Sequence, residues 1–388
     1  MGLEGQPFED QAPSKLSPQE ERLWRPGSAP LPGQRERVSK LLERSQGLKP
    51  VIDIERALHF TRSMARTEGE HLSLRWAKAL YEVAKNITVR VADHQLLLGR
   101  IGPQGRYGIL YPELDGNFLG LAVASLPSRA GSPAEISEED AKIVAEEISP
   151  YWRGRTYHEA LSRALPPDVR ALTYGDPEGL ASRFIVNETS SFRSSIQWVH
   201  DYGKALKFGL KDVARKASEK LEALDPFSPS DQCDRKPFYE AVLIVCEGAA
   251  LFARRQAQAA REAAAVEADP KRRAELENLA EICERVPWEP ARTFHEALQS
   301  QWLIQLFSRL EQKTGTIISN GRMDQYLWPF YEKDKREGRI DEERALELLE
   351  CLWVGLYEFV DLYISPAGGA FNEGYAHWEA VTIGGQRP

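Results

Sequence analysis

The sequence predicts an α/β fold that is predominantly helical, with short strands gathering towards the C-terminal end. Long stretches place apolar residues at three- and four-residue spacing, which puts them on one face of a helix. Short apolar runs that alternate with polar residues, such as Ile87 to Val91, indicate strands instead. The tail from Tyr363 to Gly385 is rich in glycine and contains one more predicted strand, Ala380 to Ile383.

The N-terminal segment differs from the rest of the chain. Residues 1–35 are polar and are interrupted by six prolines, which resist regular helix. They are predicted to form a mobile arm or a surface wrap. The helical pattern begins at Arg35 and continues through most of the chain.

The predicted helices share the helical periodicity. They are Val51–Arg66, Leu72–Lys85, Ser137–Ile148, Ser182–Gly203, Lys204–Ala223, Pro237–Ala268, Pro270–Glu284, His295–Glu311 and Asp341–Asp361. Ser137 is followed by three acidic residues, a pattern typical of a capped helix start. Pro270 suits the first turn of a helix and predicts a helical hairpin. The helices that start at His295 and Asp341 are expected to be buried.

The remaining predicted elements are short. Ile87–Val91 and Leu96–Leu98 are expected to be strands, and residues 99–120 are rich in loop formers. Ile317 and Ile318 lead through the turn Asn320-Gly321 into the segment Asp324 to Lys333.

Charge and composition exclude several classes of protein. The net charge is −8, from 50 basic and 58 acidic residues, and no basic run marks a nucleic-acid or anionic membrane surface. The longest apolar run, Ala241 to Ala253, is broken by Glu247 and is too short to span a bilayer. Four cysteines do not make a disulfide framework, and no secretory signal is present. The expected compartment is the cytoplasm.

Four passages resemble the pyruvate formate-lyase-like glycyl radical enzymes. They are ARTEGEHLSLRWAKALYEV (Ala65 to Val83), DHQLLLGRIG (Asp93 to Gly102) followed by Tyr111-Pro112-Glu113, TFHEALQSQW (Thr293 to Trp302) and SNGRMDQYLWPFYEKD (Ser319 to Asp334). Each is a weak signal, but all four occur in order. Two further passages, Phe184 to Gly209 and Gly368 to Gln386, resemble the isethionate-cleaving branch of that family.

The resemblance implies a specific architecture and reaction. Residues 36–388 would be the N-terminal part of a pyruvate formate-lyase-like domain, supplying the outer helices and first half-barrel strands of a ten-stranded barrel. The branch removes sulfite from isethionate and leaves acetaldehyde, through a radical stored on a glycine. A separate radical S-adenosylmethionine enzyme installs the radical, and the lyase binds no metal. Family members are commonly homodimers, and packaging in a bacterial microcompartment stays open.

The resemblance also identifies what this chain is expected to lack. In the family, the cysteine that abstracts hydrogen is followed two residues later by a glutamate. None of Cys233, Cys246, Cys283 and Cys351 has glutamate at that position, and no C-terminal glycyl radical motif is present. The chain is therefore expected to be inactive by itself. It is interpreted as a truncated product, as half of a split enzyme completed in trans by a C-terminal half, or as an independent helical binding protein.

The candidate substrate residues are Arg193, Gln197 and Trp378. An alkylsulfonate stays anionic at physiological pH, so its pocket needs fixed donors such as an arginine fork and an amide. Arg193 and Gln197 lie four residues apart and would share one face of a helix. Taken alone, this pattern favours two surface residues. The resemblance instead implies that Arg193 and Gln197 together bind the sulfonate oxygens and so form a sulfonate clamp. The resemblance likewise implies that Trp378 is a pocket wall that limits the cavity to two carbons. The residue pattern alone favours a tryptophan in the protein core.

The other chemistry-bearing residues are predicted to be structural. His200 and His377 have no partner at diagnostic spacing, and Phe192 and Trp198 are interpreted as packing residues. No HExxH, CxxC or P-loop motif supports metal-dependent hydrolysis or nucleotide chemistry. Arg322 and Asp324 are expected to brace a turn.

Two alternatives to isethionate cleavage remain. The chain can belong to an eliminase for another small substrate, such as hydroxypropanesulfonate, a diol or choline. It can also be a binding protein without catalysis. An arginine against the ligand argues against choline, because two cations repel each other.

Overall fold

The structure is a computed structural model of the 388-residue chain. It describes residues 36–46, 49–102, 105–114, 119, 123–129, 133–169, 197–311, 317–360, 362 and 381–384. The predicted arm of residues 1–35 lies outside the described residues.

The described residues are mainly helical, as predicted. In chain order the α-helices are α1 (Glu36–Glu43), α2 (Glu55–Arg66), α3 (Leu72–Asn86), α4 (Glu138–Ile143), α5 (Ser149–Trp152), α6 (Tyr157–Ala164), α7 (Tyr202–Glu222), α8 (Lys236–Val266), α9 (Pro270–Arg285), α10 (Phe294–Glu311), α11 (Met323–Arg336) and α12 (Glu342–Glu358). Short π-helical turns, Val144–Ile148 and Asp231–Arg235, link α4 to α5 and lead into α8.

Two local sequence signals are confirmed. Ser137 caps α4, because its Oγ accepts a hydrogen bond from the Asp140 backbone N at 3.0 Å. Asp269 caps α9 through the Lys271 backbone N at 3.1 Å, and Pro270 occupies the first turn. Helices α8 and α9 therefore form the predicted hairpin, and they pack against each other.

Helix α8 is the centre of a helical layer and packs against α3, α9 and α7. Its buried face is built largely from alanine, including Ala249, Ala253, Ala257 and Ala260. Small side chains let neighbouring helices approach closely. Helix α7 kinks at Gly209, where a Cβ atom would lie 2.2 Å from the Trp288 carbonyl oxygen, so only glycine fits this close approach.

The strands of the described residues form parallel pairs between segments that are distant in sequence. β1 (Val51–Asp53) pairs with β2 (Tyr107–Ile109), β3 (Gln197–Val199) with β4 (Ile317–Ser319), and β5 (Gly321–Arg322) with β6 (Val381–Thr382). Parallel neighbours require long crossover connections, which here contain the helices. The strand predicted in Ala380–Ile383 is confirmed by β6, whereas β4 was not predicted from the sequence.

The strands predicted at Ile87–Val91 and Leu96–Leu98 are wrong. The backbone there is irregular, apart from one antiparallel bridge between Arg90 and Arg100. The Gln299 side chain of α10 takes the place of a partner strand: it donates to the Leu98 carbonyl and accepts from the Leu98 N, both at 2.8 Å. The apolar run at 96–98 reflects burial in the core. The predicted helix Val51–Arg66 also begins later, because its first three residues form β1.

Helix α10 is buried on nearly all sides, as the sequence predicts. Its last carbonyl groups have no partner within the helix and need donors from elsewhere. Tyr111 Oη donates to the Arg309 carbonyl at 2.7 Å. Arg56 donates to the carbonyls of Leu310 at 2.9 Å and Glu311 at 3.2 Å.

The Arg56 guanidinium is fully buried and is paired on every side. Its Nη1 lies 2.7 Å from Glu113 Oε2, and its Cζ lies 4.1 Å from the Phe60 ring centroid and 4.7 Å from that of Tyr111. The side chain therefore ties α2, the loop after β2 and the end of α10 together.

Removal of the Arg56 side chain is expected to destabilise the protein strongly. Arg56→Ala leaves a buried carboxylate and two helix-end carbonyls without donors, so the free energy of unfolding should fall by about 3–5 kcal/mol. Arg62→Ala is the matched control on the same helix, because its pair with Glu147 is exposed and should be worth about 0–1 kcal/mol. Urea unfolding followed by circular dichroism measures both. Equal losses for the two variants would contradict the assigned role of Arg56.

Candidate functional site

Strands β3 and β4 form a pair with one buried and one open face. Trp198 is in register with Ile318, and Val199 with Ser319. Ile318 is fully buried, whereas Val199 is 56% exposed. The β3–β4 pair therefore places Ile318 in the core and leaves Val199 largely open to solvent.

The helix predicted for Ser182–Gly203 is wrong at its C-terminal end. Residues 197–199 form β3, so the helical argument that placed Arg193 and Gln197 on one face fails. The physical reason is pairing with β4, which satisfies backbone hydrogen bonds that a local helix pattern cannot anticipate. Tertiary context overrides the periodicity here.

The predicted substrate residues lie largely outside the described part of the chain. Arg193 and Trp378 are among the residues that the structure does not describe, as are Phe192 and His377. Gln197 is described through its backbone.

The backbone nevertheless brings the relevant segments together. Gln197 pairs with Ile317 at the start of β4, and Val381, three residues after Trp378, pairs with Gly321 at the start of β5. β4 and β5 are consecutive, and Asn320 is the one residue between them. The segment with the predicted clamp and the segment with the predicted pocket wall therefore both lead into strands that pair with one continuous stretch of backbone, residues 317–322.

Asn320 is fully buried at this junction. Its Oδ1 accepts a hydrogen bond from Gln301 Nε2 of α10 at 3.0 Å. Its backbone oxygen accepts one from the Tyr326 hydroxyl of α11 at 2.8 Å. Asn320, between β4 and β5, is thus hydrogen-bonded to both α10 and α11.

The segment around β6 is braced by α11. Asp324 Oδ2 accepts a hydrogen bond from the Gly384 N at 2.8 Å, and Gln325 Nε2 donates to the Gly384 carbonyl at 3.3 Å. Asp324 therefore braces backbone, as the sequence predicted.

Helix α10 makes two further contacts with the β3–β4 pair. Gln305 Nε2 donates to the Ile318 carbonyl at 3.3 Å. Ser308 Oγ lies 2.7 Å from His200 Nε2, directly after β3, and also donates to the Ile304 carbonyl at 2.8 Å. His200 is thus hydrogen-bonded to α10, and its structural role stays a prediction.

Burial lowers the pKa of His200 below its ordinary value, because the charged ring loses its water shell. The imidazole therefore stays neutral near pH 7 and acts here as a tether.

The cysteines do not form a reactive site in the described residues. Cys246, Cys283 and Cys351 are buried within α8, α9 and α12, as predicted. Burial raises the pKa of Cys246 to about 11 and that of Cys351 to about 12. Cys233 is exposed and lies in the π-helical turn before α8 rather than in a loop.

Two features are absent from the described part of the chain. It contains no group of three or more His, Cys, Asp or Glu side chains arranged to hold a metal ion. No helix within it combines the length and apolar character needed to cross a membrane.

The sequence reasoning missed the buried amides that support the strands. Gln299, Gln301 and Gln305 are all fully buried on α10. The sequence does contain a signal for them, because polar residues recur at two- and four-residue spacing within a helix that was predicted to be buried. Buried amides need hydrogen-bond partners, so this pattern predicts contacts with other segments.

Comparison with known proteins agrees with this architecture. The family model described as pyruvate formate lyase-like matches residues 30–388. The chain is 63% identical over 378 residues to the isethionate sulfite-lyase of Nitratidesulfovibrio vulgaris, covering 97% of this chain and 46% of the relative. It is 67% identical over 353 residues to the isethionate sulfite-lyase of Bilophila wadsworthia, covering 91% of this chain and 42% of that relative. The chain thus spans less than half the length of these relatives.

A solved structure shares the fold. The glycyl radical enzyme from Archaeoglobus fulgidus superposes with a TM-score of 0.81 at 34% identity, over 90% of this chain and 44% of that one. The predicted fold, the N-terminal portion of the family's barrel with its outer helices, is confirmed by this likeness. With the family model matched over nearly the whole length, the chain belongs to the pyruvate formate lyase-like family.

Proposed function

We propose that this chain forms the substrate-recognition portion of a glycyl radical carbon–sulfur lyase that cleaves isethionate to acetaldehyde and sulfite. The supporting observation is the identity of 63% and 67% to two isethionate sulfite-lyases over almost the whole chain. The two matches cover 97% and 91% of this chain.

The proposed ligand residues are Arg193, Gln197 and Trp378. The arginine fork and the amide would hold sulfonate oxygens, and the indole would close the cavity around two carbons and exclude water. The backbone pairings support this arrangement: Gln197 pairs with Ile317 of β4, and Val381, three residues after Trp378, pairs with Gly321 of β5.

The radical chemistry would come from residues beyond these 388. No cysteine of the chain is followed by glutamate at the second position, which supports a hydrogen-abstracting loop supplied by a longer chain or by a second polypeptide. The glycyl radical would be installed by a radical S-adenosylmethionine activating enzyme, and the lyase would bind no metal. The complete enzyme would be a homodimer in the cytoplasm or in a bacterial microcompartment.

The substrate is tested with a completed enzyme. The chain is fused to the C-terminal half of the Bilophila wadsworthia relative, activated anaerobically and assayed for sulfite release, with the intact relative as positive control. Isethionate should be turned over, and hydroxypropanesulfonate should be turned over at least about tenfold less efficiently, because one methylene misfit is worth about 1–3 kcal/mol. Preference for the longer sulfonate would overturn the proposed substrate.

The sulfonate clamp is tested by Arg193→Ala in the same fusion. Loss of a buried charge partner costs about 2–5 kcal/mol, so the KM for isethionate should rise by more than about tenfold. Arg215→Ala is the control, because Arg215 is 53% exposed on α7 and pairs with neighbours on its own helix. Near-normal kinetics for Arg193→Ala would remove this residue from the site.

The location of the radical is tested by spectroscopy. The isolated 388-residue chain should give no glycyl radical signal in electron paramagnetic resonance after exposure to the activating enzyme, while the fusion should give one. A signal from the isolated chain would show that it contains a radical-bearing glycine.

A further inference from the structure

We propose that Tyr202, Gln301 and Asn320 bind one internal water molecule, through which the segment after β3 is docked on α10. The proposal is independent of the ligand and the reaction proposed above. It rests on three buried polar atoms that have no hydrogen-bond partner among the described residues: Tyr202 Oη, Gln301 Oε1 and Asn320 Nδ2.

The three side chains are neighbours and are closed off from solvent. Tyr202 is 1% exposed, and Gln301 and Asn320 are fully buried. The two amides share a hydrogen bond of 3.0 Å. The Tyr202 ring centroid lies 5.5 Å from that of Tyr326, whose hydroxyl donates to the Asn320 backbone oxygen at 2.8 Å. Burial raises the pKa of Tyr202 far above its ordinary value, and the nearby Gln301 amide opposes that shift in part.

The orientation of both amides follows from a backbone carbonyl. The Ile318 carbonyl can only accept, so Gln305 turns its Nε2 towards it, at 3.3 Å, and its Oε1 towards Gln301. Gln301 must then present its Nε2 to Gln305, at 2.8 Å, and the same nitrogen donates to Asn320 Oδ1. Rotation of either amide by 180° would break this chain of hydrogen bonds. The unpaired atoms are therefore the oxygen of Gln301 and the nitrogen of Asn320.

This set of unpaired atoms selects water over an ion. Gln301 Oε1 is an acceptor, Asn320 Nδ2 is a donor, and Tyr202 Oη can be either. A cation would leave the amide nitrogen unpaired, and an anion would leave the amide oxygen unpaired. One water molecule accepts from Asn320 and Tyr202 and donates to Gln301, and about three hydrogen bonds are typical of a buried water.

The water gives the segment after β3 a second contact with α10. His200 lies 2.7 Å from Ser308 of that helix, and Tyr202 follows two residues later as the first residue of α7. The direct contact holds the end of β3, and the water-mediated contact holds the start of α7. Loss of the water should therefore loosen the first turn of α7.

A crystal structure of the 388-residue chain, at a resolution that shows ordered water, tests the site directly. An isolated density peak is expected within about 3.2 Å of Tyr202 Oη, Gln301 Oε1 and Asn320 Nδ2. An empty position, or one filled by an ion or by another side chain of the protein, would overturn the proposal.

Urea unfolding of Tyr202→Phe tests the same site in solution, because this change removes only the hydroxyl. A hydroxyl bound to water stabilises the fold, so its removal should raise the equilibrium constant for unfolding about fivefold. A hydroxyl without any partner would give the opposite sign, because its burial is unfavourable. Tyr326→Phe is the matched control, since its hydroxyl donates directly to the Asn320 carbonyl, and it should lose at least as much stability. Unchanged or higher stability in Tyr202→Phe would contradict the water site.

Hydrogen–deuterium exchange tests the docking role. Tyr202→Phe should speed exchange in peptides covering residues 200–210. Peptides around Leu98 should not change, because Gln299 of α10 holds that segment directly, with two hydrogen bonds of 2.8 Å. Unchanged exchange at residues 200–210 would show that this contact does not hold the start of α7.

Discussion

The requirement that buried polar groups find partners organises this structure around α10. The helix is enclosed on nearly all sides, yet it contains glutamine, serine and arginine. An unpaired buried polar group costs about 1–3 kcal/mol, which favours hydrogen-bond partners for these side chains, although Gln301 Oε1 has none among the described residues. Gln299 bonds to Leu98, Gln301 to Asn320, Gln305 to Ile318 and Ser308 to His200. Three segments, around Leu98, His200 and Ile318 to Asn320, are thereby placed relative to one helix.

This arrangement leaves one face of the strand pair outside the contacts of the scaffold. The β3–β4 pair turns Ile318 towards the core and leaves Val199 largely exposed. The contacts of α10 with these strands go to the Ile318 carbonyl and to His200, so the Val199 side chain takes no part in them. A substitution at Val199 can therefore change the open face without removing a hydrogen bond that the scaffold requires.

Sequence reasoning succeeded where a segment's structure depends on its own residues. Helices such as α8, α9 and α10, the cap at Ser137 and the hairpin at Pro270 follow from local spacing and local hydrogen bonds. It failed at Leu96–Leu98, where an apolar run that predicts a strand reflects burial against α10 instead. It also failed at Gln197–Val199, because a strand of three residues shows too little alternation and depends on a distant partner. The ligand residues themselves were proposed from resemblance, and spacing gave no independent support once residue 197 proved to be in a strand.

Directional amide contacts explain why polar side chains, rather than apolar ones, occupy the strand junction. A slip of one residue in a strand pair would exchange its buried and open faces, so burial of Ile318 specifies the register. Gln305 donates to the carbonyl of residue 318, and Ser308 lies 2.7 Å from His200 directly after β3, so α10 contacts both strands of the pair. A sulfonate keeps its charge at physiological pH and cannot adapt to a misplaced donor by changing its protonation. Recognition of the proposed anion would therefore depend on strands whose positions are held by such buried contacts.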